Sequence, residues 1–555
     1  MSKKSKAAPQ AAPSPSVSPA KAGAWEFPWR AMGVILAVQG VWLILAAKAN
    51  LDQLNNDAIA YLRLGEYYAQ GNLELAVSGY WGPMLSWLIA LGIKLGFAPM
   101  AAGRAAMVLS GLVFTAGAIG LLRGVRMNGW PAILSAAIAA IATIFWSVEY
   151  VSPDLLVSGL MLGAWGILFT GSWLKERKWQ AAAGTLWGLA YLAKAVAFPL
   201  AVVVTLVVAG LRLLIGGERK QVLLAATITV SVFTLVALPW VVTLSAKYGH
   251  FTFSTSGKIN HSIVGPEDVD RYHPVFRTFH QPDAGRVTQW EDPSRMDYKS
   301  WSPLANLSHQ VKLVQKNFNT VIAHLVNFDL LFVGIISLLA AAFVTAPWRE
   351  KLATERWRWT LLPLGCLCGI YLPVWVAPFD ERYFYAALPV LLITSFGTVA
   401  WLRRVLADQA WVTAVGGGLV VLVFGFYPLV KASFAPQGLR HDTTVMARAM
   451  ADTLRQQNLS GSIAGSGTVL GNRTGLFTAY MLGVPWLGDK KETTFADFQS
   501  SNAQVIIIGL NEPATAQLLQ DPGWQRVAIQ FPEFKGVEGE VPLVVMVKKS
   551  SSKAL

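Results

Sequence analysis

The chain has 555 residues, of which 54% are hydrophobic and only 14% are charged, whereas soluble domains carry about a quarter charged residues. Apolar runs of membrane-spanning length recur along most of it, so the composition excludes a soluble enzyme and indicates a polytopic α-helical membrane protein. The net charge of +14 fits basic cytoplasmic loops and contact with anionic lipids, and no nucleic acid is expected as a partner.

The first part of the chain predicts a cytoplasmic tail, one membrane span and an interfacial helix. Residues 1–24 are rich in Ala, Pro, Ser and Lys, which predicts a disordered tail whose lysines keep it in the cytoplasm. The apolar run at about 31–48 predicts an uncleaved span that leads outward, since no small-residue cleavage site clearly ends it. Residues 50–81 mix charged and aromatic residues and predict an amphipathic helix on the outer surface.

The apolar run at about 84–97 decides the orientation of everything that follows. If this run crosses the membrane, Arg123 and all later basic clusters fall outside, against the positive-inside bias. The run has only about 14 residues, begins after Pro83 and is interrupted by Gly92 and Lys94, which makes it short for a span. We therefore predict that it is re-entrant or interfacial.

With that choice the remaining spans alternate, the basic loops are cytoplasmic and the whole chain has about 11 spans. The predicted spans after the first lie at about 104–122, 131–147, 155–172, 181–214 (two spans that meet in an outer turn near Lys194 and Pro199), 222–245, which ends at Pro239-Trp240, 319–345, 360–378, 384–402 and 411–430. The predicted outer loops are 50–83, 148–154, 246–315 and 379–383. A loop as long as 246–315 is uncommon unless it is functional. Cys366 and Cys368 lie inside a span and predict helix packing, not a metal site.

The chain changes character after the membrane domain, which we place at residues 25–432. Residues 436–555 predict a small α/β domain on the outer face, because a helical pattern and strand-like runs follow one another. The predicted elements are an amphipathic helix at 443–459 and strands at 462–465, 505–509 and 543–547. Gly465-Ser466-Gly467 is only a fragment of a nucleotide-binding loop, so no nucleotide is expected.

The predicted topology gathers ionisable residues on the outer side, where acids from several helix ends can converge. They are Asp57, Glu149, Asp154, Lys194, Asp380, Glu381 and Arg382. Ionisable groups at membrane depth are costly and indicate function. A carboxylate can act as a general base toward an acceptor, basic groups can stabilise a leaving phosphate, and carboxylates also stabilise an oxocarbenium-like sugar. A sugar that is already activated on a lipid phosphate would need no nucleotide.

Six short elements occur in order along about residues 30–405. They are Asn56-Asp57-Ala58-x-x-Tyr61, Gly79-Tyr80-Trp81-Gly82-Pro83, Val151-Ser152-Pro153-Asp154, Leu192-Ala193-Lys194, Pro239-Trp240 with Lys247-Tyr248-Gly249, and Glu381-Arg382-Tyr383. In this order and spacing the chain resembles the GT-C glycosyltransferases, in particular the group that contains protein O-mannosyltransferases and lipid A aminoarabinose transferases.

The resemblance implies an enzyme of the bacterial inner membrane that works on the outer leaflet. It implies inverting transfer of a sugar from a polyprenyl-phosphate donor to a lipid, glycan or protein acceptor. Asp57 would be the general base and Asp154 a second acid. The residues that would bind substrate are Tyr61, Tyr80, Lys194, Glu381, Arg382 and Tyr383, with Lys194 and Arg382 as candidates for the phosphate. Two departures weaken the analogy: Ala58 replaces the second acid that many relatives carry after Asp57, and Ser78 or Gly79 stands where some have a basic residue.

Two questions stay open at the level of the sequence. A divalent metal is neither indicated nor excluded, because the outer-loop histidines match no tight ligand spacing. The alternative functions are a lipid-linked glycan flippase or transporter, an oligosaccharide polymerase or ligase, and a receptor that binds a partner through its C-terminal domain. Replacement of Asp57 by Asn discriminates among them, because only the proposed mechanism requires this carboxylate.

Overall fold

A computed structural model describes residues 26–214, 216–266, 273–328, 380–406, 409–439, 442–466, 474–490, 492–531 and 543–549. Up to residue 434 the regular structure is helical. The helices of this part are α1 (Trp29–Ala49), α2 (Asn56–Gln70), α3 (Leu73–Ala76), α4 (Pro83–Lys94), α5 (Pro99–Gly124), α6 (Gly129–Glu149), α7 (Asp154–Leu168), α8 (Ser172–Lys175), α9 (Arg177–Ala193), α10 (Ala197–Leu214), α11 (Arg219–Tyr248), α12 (Ser256–Ser262), α13 (Leu307–Phe328), α14 (Ala387–Val405) and α15 (Ala410–Phe434).

Six helices within the described part of the chain are long and apolar enough to cross a membrane. They are α1, α5, α6, α10, α11 and α15, and the shorter helices α4 and α7 are also apolar. This architecture confirms the predicted polytopic helical fold. The predicted spans at 319–345 and 360–378, with Cys366 and Cys368, lie wholly or mostly outside the described residues.

Helix α4 has 12 residues, which extend about 18 Å at 1.5 Å per residue. That length is shorter than the roughly 30 Å of a hydrocarbon core. The helix length is therefore consistent with the prediction that this run does not cross the membrane. The helix lies against α2, α5 and α9. Its place relative to the membrane stays a prediction.

The break predicted inside residues 181–214 is present, because α9 ends at Ala193 and Lys194 adopts an extended backbone before α10 begins. One other predicted boundary is wrong. Helix α11 runs through Pro239 to Tyr248, since a proline inside a helix removes one hydrogen bond and does not always end it. Helix α13 begins at Leu307, so the last part of the predicted 246–315 loop is helical, and the place of this loop outside the membrane stays a prediction.

Close packing between α5 and α7 fixes the position of the α7 N-terminus. A Cβ atom on Gly117 would lie 1.9 Å from the Gly159 carbonyl oxygen, and one on Gly124 would lie 2.2 Å from the Gly166 carbonyl oxygen. Small residues let helix backbones approach in this way in membrane proteins. Because α7 begins at Asp154, this contact places that carboxylate.

The C-terminal part is an α/β domain, as predicted. Its helices are α16 (Asp442–Gln456), α17 (Thr474–Leu482), α18 (Phe495–Ser500) and α19 (Pro513–Gln520), and its strands are β1 (Ile463–Ser466), β2 (Trp486–Lys490), β3 (Val505–Gly509), β4 (Trp524–Val527) and β5 (Leu543–Lys548). The sheet order is β2-β1-β3-β5-β4. Strand β1 is parallel to β2 and β3, whereas β5 is antiparallel to β3 and β4.

The long loop between α11 and α13 contacts this domain. The backbone N–H of Trp486 donates to the Val287 carbonyl at 2.7 Å, and that of His280 donates to the Leu487 carbonyl at 2.7 Å. Helix α17 also contacts α2. The Tyr67 hydroxyl of α2 donates to Glu291 of the same loop at 2.8 Å, so the loop between α11 and α13 contacts both the sheet and the helix that carries Asp57.

Candidate active site

Four separate parts of the chain bring ionisable side chains to one place. Asp57 lies in the first turn of α2 and Asp154 is the first residue of α7. Carboxylates are favoured there because the N-terminus of a helix carries partial positive charge. Lys194 lies in the turn between α9 and α10, and Arg382 lies in a 3-10 turn at Glu381–Phe384.

Arg382 contacts three carboxylates. Its Nη1 atom donates to Asp57 Oδ2 at 2.9 Å and lies 4.0 Å from Asp154 Oδ2. Its Nε and Nη2 atoms donate to the two oxygens of Asp380 at 3.0 Å and 2.6 Å. The bidentate pair with Asp380 fixes the guanidinium plane, and so directs Nη1 toward Asp57 and Asp154.

Lys194 completes the cluster from the opposite side of Asp154. Its Nζ atom donates to Asp154 Oδ1 at 2.5 Å and lies 4.1 Å from the centre of the Tyr383 ring. The Asp154 side chain is only 4% exposed, whereas that of Asp57 is 22% exposed. Of the two acids, Asp57 is therefore the one that a substrate can reach more easily.

The pKa values in the cluster follow from burial and charge. Burial lowers the pKa of Arg382, but attraction by Asp57 and the hydrogen bonds to Asp380 outweigh it and raise this pKa well above its usual value. Burial raises the pKa of Asp380, yet the hydrogen bonds from Arg382 leave it below its usual value. At neutral pH Arg382 is a cation and Asp380 an anion.

The neighbouring tyrosines remain protonated. Burial, with the nearby carboxylate Asp57, raises the pKa of Tyr61 and Tyr80, and burial with Asp380 does the same for Tyr383. The Tyr80 hydroxyl donates to Asn260 Oδ1 at 3.0 Å, and Tyr61 is buried edge-on against Trp81. These phenols can donate hydrogen bonds, but they do not serve as bases near neutral pH.

The structure brings together Asp57, Asp154, Lys194 and Arg382 among the candidate residues, with Tyr383 over Lys194. Glu381 is directed elsewhere, because it accepts from the Tyr150 hydroxyl at 3.4 Å. Sequence reasoning gave no role to Asp380 and did not single out Tyr150, whose ring lies 4.8 Å from the Arg382 guanidinium carbon. The available signals for Asp380 were its place in the predicted outer group and its position two residues before Arg382.

Within the described ranges, no group of three or more His, Cys, Asp or Glu side chains is placed to hold a metal ion. The loop histidines contact different partners. His261 stacks on Trp301, and His273 Nδ1 lies 2.9 Å from the Tyr298 hydroxyl. Burial lowers the pKa of His273 to about 3, so this side chain is neutral.

Comparisons with known proteins give the fold but no sequence relative. No family model and no curated sequence matches the chain. The structure of ArnT from Cupriavidus metallidurans bound to undecaprenyl phosphate is similar with a TM-score of 0.53 and 16% identity, over 94% of this chain and 99% of that one. The apo oligosaccharyltransferase from Archaeoglobus fulgidus gives 0.49 and 12% identity, over 86% and 69%. The mycobacterial arabinofuranosyltransferase AftD gives 0.47 and 14%, over 94% and 40%.

The chain is a multi-pass membrane protein with the fold of the ArnT structure, and the similarity spans nearly the full length of both chains. In fold, this finding agrees with the resemblance seen in the sequence.

Proposed function

We propose that this protein is a glycosyltransferase of the bacterial inner membrane that acts at the outer leaflet. It transfers a sugar from a polyprenyl-phosphate donor to a lipid, glycan or protein acceptor, with inversion at the anomeric carbon. The observation that carries the proposal is the meeting of Asp57, Asp154, Lys194 and Arg382 at the ends of separate helices. The undecaprenyl phosphate in the ArnT structure supports a donor of this class.

In the proposed reaction Asp57 removes the proton from the acceptor nucleophile. The acceptor atom attacks the anomeric carbon, the bond from that carbon to the phosphate oxygen breaks, and the electron pair leaves with the polyprenyl phosphate. Arg382 and Lys194 offset the negative charge on the departing phosphate. Asp154 holds Lys194 and faces Arg382, so its role is to orient these two cations.

Replacement of Asp57 by Asn tests the proposal, because the amide keeps the size of the side chain but cannot accept the proton. We expect sugar transfer in isolated membranes to fall by about a hundredfold or more, within the range that general-base catalysis contributes. Asp52 supplies a matched control. It lies five residues earlier, its side chain is 62% exposed, and it pairs with Arg448 at 2.7 Å.

The Asp52→Asn variant should keep the wild-type rate. Full-rate transfer by Asp57→Asn would show the proposed mechanism to be wrong. The substrates can be identified in a deletion strain by the glycan that disappears and the lipid-linked precursor that accumulates.

A further inference from the structure

A buried arginine in α5 connects the two segments that carry the proposed acids. Arg104 is 2% exposed. Its Nη1 atom donates to the carbonyls of Ser147 at 3.2 Å and Val148 at 2.9 Å, and its Nη2 atom donates to the Gln53 carbonyl. One guanidinium thus joins α5, the end of α6 and the link between α1 and α2.

Within the described ranges the hydrogen-bond acceptors of this cation are backbone carbonyl oxygens, with Asp52 as a nearby carboxylate. Among the described residues Arg104 makes no ion pair, and its partners at Ser147 and Val148 belong to the last turn of α6, where carbonyls lack intrahelical partners. The C-terminal end of a helix carries partial negative charge and attracts a cation. An apolar side chain could fill the same space without the desolvation cost. What the arginine adds is a fixed geometry among three backbone segments.

Those segments lead directly to the two acids. Gln53 precedes Asp57 by four residues, and the end of α6 is followed by a short connection to Asp154. A second hydrogen bond connects the same two parts of the chain: the Asn55 side-chain oxygen accepts from the Val151 backbone N–H at 2.9 Å. Both links therefore join the chain just before Asp57 to the chain just before Asp154.

We propose that Arg104 is a positioning residue that sets the separation of Asp57 and Asp154 around Arg382, with Asn55 as its second support. This inference rests on the proposed function. Arg382 Nη1 reaches both acids from one atom, at 2.9 Å and 4.0 Å. A shift of about 1 Å between the two segments breaks that arrangement, and displacements of this size can lower a rate by about a hundredfold.

The test compares Arg104→Met and Arg104→Lys with a variant of an arginine that has similar contacts away from the site. Arg212 in α10 donates through Nη2 to the carbonyls of Leu168, Phe169 and Thr170 at the end of α7. Arg212→Met removes a comparable helix-end contact. The measurements are kcat and the KM for the lipid-linked donor in membranes, and the amount and melting temperature of each purified protein.

We expect Arg104→Met to lower kcat by about tenfold to a hundredfold, with a KM for the donor within about threefold of wild type. Arg104→Lys keeps the charge but not the planar fork and should recover part of the loss. Arg212→Met should lower the melting temperature about as much as Arg104→Met while leaving kcat unchanged. Equal losses of kcat in the two methionine variants, or unchanged kcat in Arg104→Met, would overturn the proposal.

If Arg104→Met does not fold, the same kinetic measurements on Asn55→Ala test the proposal. This variant should lower kcat without a change in KM, and combined with Arg104→Lys it should cost less than the product of the two single effects, because both act on one alignment. Wild type and Asp57→Asn in the same preparations separate the two proposals. Loss of transfer in Asp57→Asn together with full kcat in the Arg104 and Asn55 variants refutes only the positioning role.

Discussion

At the scale of single residues, the proposed site contains more negative than positive charge. Asp57, Asp154 and Asp380 surround Arg382, and Lys194 is paired with Asp154. With every group ionised, three anions face two cations. A phosphate that contacts Arg382 competes with Asp57 for the Nη1 donor. The proposed mechanism therefore links binding of the donor phosphate to the availability of Asp57 through one guanidinium.

Asp489 presents a different electrostatic situation, in the core of the C-terminal domain. Its side chain is 2% exposed, its Oδ1 atom accepts from the Trp486 indole at 3.3 Å, and its Oδ2 atom has no hydrogen-bond partner among the residues that the structure describes. Burial raises the pKa of this carboxyl to about 8. The folded domain therefore holds the proton at pH values where the unfolded chain has released it.

This difference predicts a stability that falls with rising pH. Between the unfolded pKa near 4 and the folded pKa of about 8, the folded state binds one more proton, so the free energy of unfolding drops by up to about 1.4 kcal/mol per pH unit. Asp489→Asn keeps the acceptor oxygen and should remove this slope. Pulse proteolysis of the full-length protein, with detection of C-terminal fragments, measures it.

Asp452→Asn serves as the control for that experiment, because Asp452 is 52% exposed on α16. It should retain the wild-type slope. If Asp489→Asn and wild type lose stability in parallel as the pH rises, the Asp489 carboxyl does not carry the excess proton.

At the scale of elements, the contact between α5 and α7 links helix packing to the site. Gly117→Ala places a methyl group where the Gly159 carbonyl oxygen lies. We expect a loss of about 1–3 kcal/mol of stability from this overpacking, together with slower transfer, because α7 carries Asp154 at its first residue. Thermal unfolding in detergent and the transfer assay measure the two effects.

Gly210→Ala gives the matched comparison, since a Cβ atom on Gly210 in α10 would meet no atom within 4 Å. That variant should be neutral or more stable by about 0.5–1 kcal/mol, because alanine is the better helix former. Gly117→Ala and Gly210→Ala of equal stability would mean that the α5–α7 contact tolerates a side chain.

Elements with strong periodicity or clear interruption were predictable from the sequence. The run at 505–509 is strand β3, the amphipathic pattern at 443–459 is α16, and the break near Lys194 is present. Strands β2 and β4 were missed. The first contains Gly488 and Asp489 and does not alternate, and in the second only the two end residues, Trp524 and Val527, are buried. Their pairing with neighbouring strands decides their conformation, and a local pattern does not carry that information.

The site was predictable only in part for a related reason. Acids at helix ends can be found by counting spans, and this count placed Asp57, Asp154 and Arg382 on one side. The partners of each charge depend on side-chain reach across segments distant in sequence. The bidentate pair of Arg382 with Asp380 and the carbonyl contacts of Arg104 are of this kind.

At the scale of the whole molecule, the two ends of helix α5 have different surroundings. Arg104 near its start contacts the segments that lead to the acids, whereas Arg123 near its end lies over the rings of Trp29 and Trp179 at 5.3 Å and 5.9 Å. Arg123 follows Arg104 by 19 positions in the helix, which correspond to about 28 Å, close to the thickness of a hydrocarbon core. The aromatic rings at the Arg123 end fit a membrane interface.

This separation makes the orientation testable with two single cysteines. In a chain whose Cys366 and Cys368 are replaced by Ser, a membrane-impermeant thiol reagent added outside should label Lys258→Cys, an exposed position in α12 of the outer loop. It should label Arg123→Cys only after the membrane is permeabilised. We expect this pattern because the positive-inside bias predicts that Arg123 and the later basic loops are cytoplasmic if α4 does not cross the membrane. Labelling of Arg123→Cys in intact cells would overturn the predicted orientation. Because Arg104 at the other end of α5 contacts the segment that leads to Asp57, that result would put Asp57 on the cytoplasmic side, away from the outer leaflet where we place the donor.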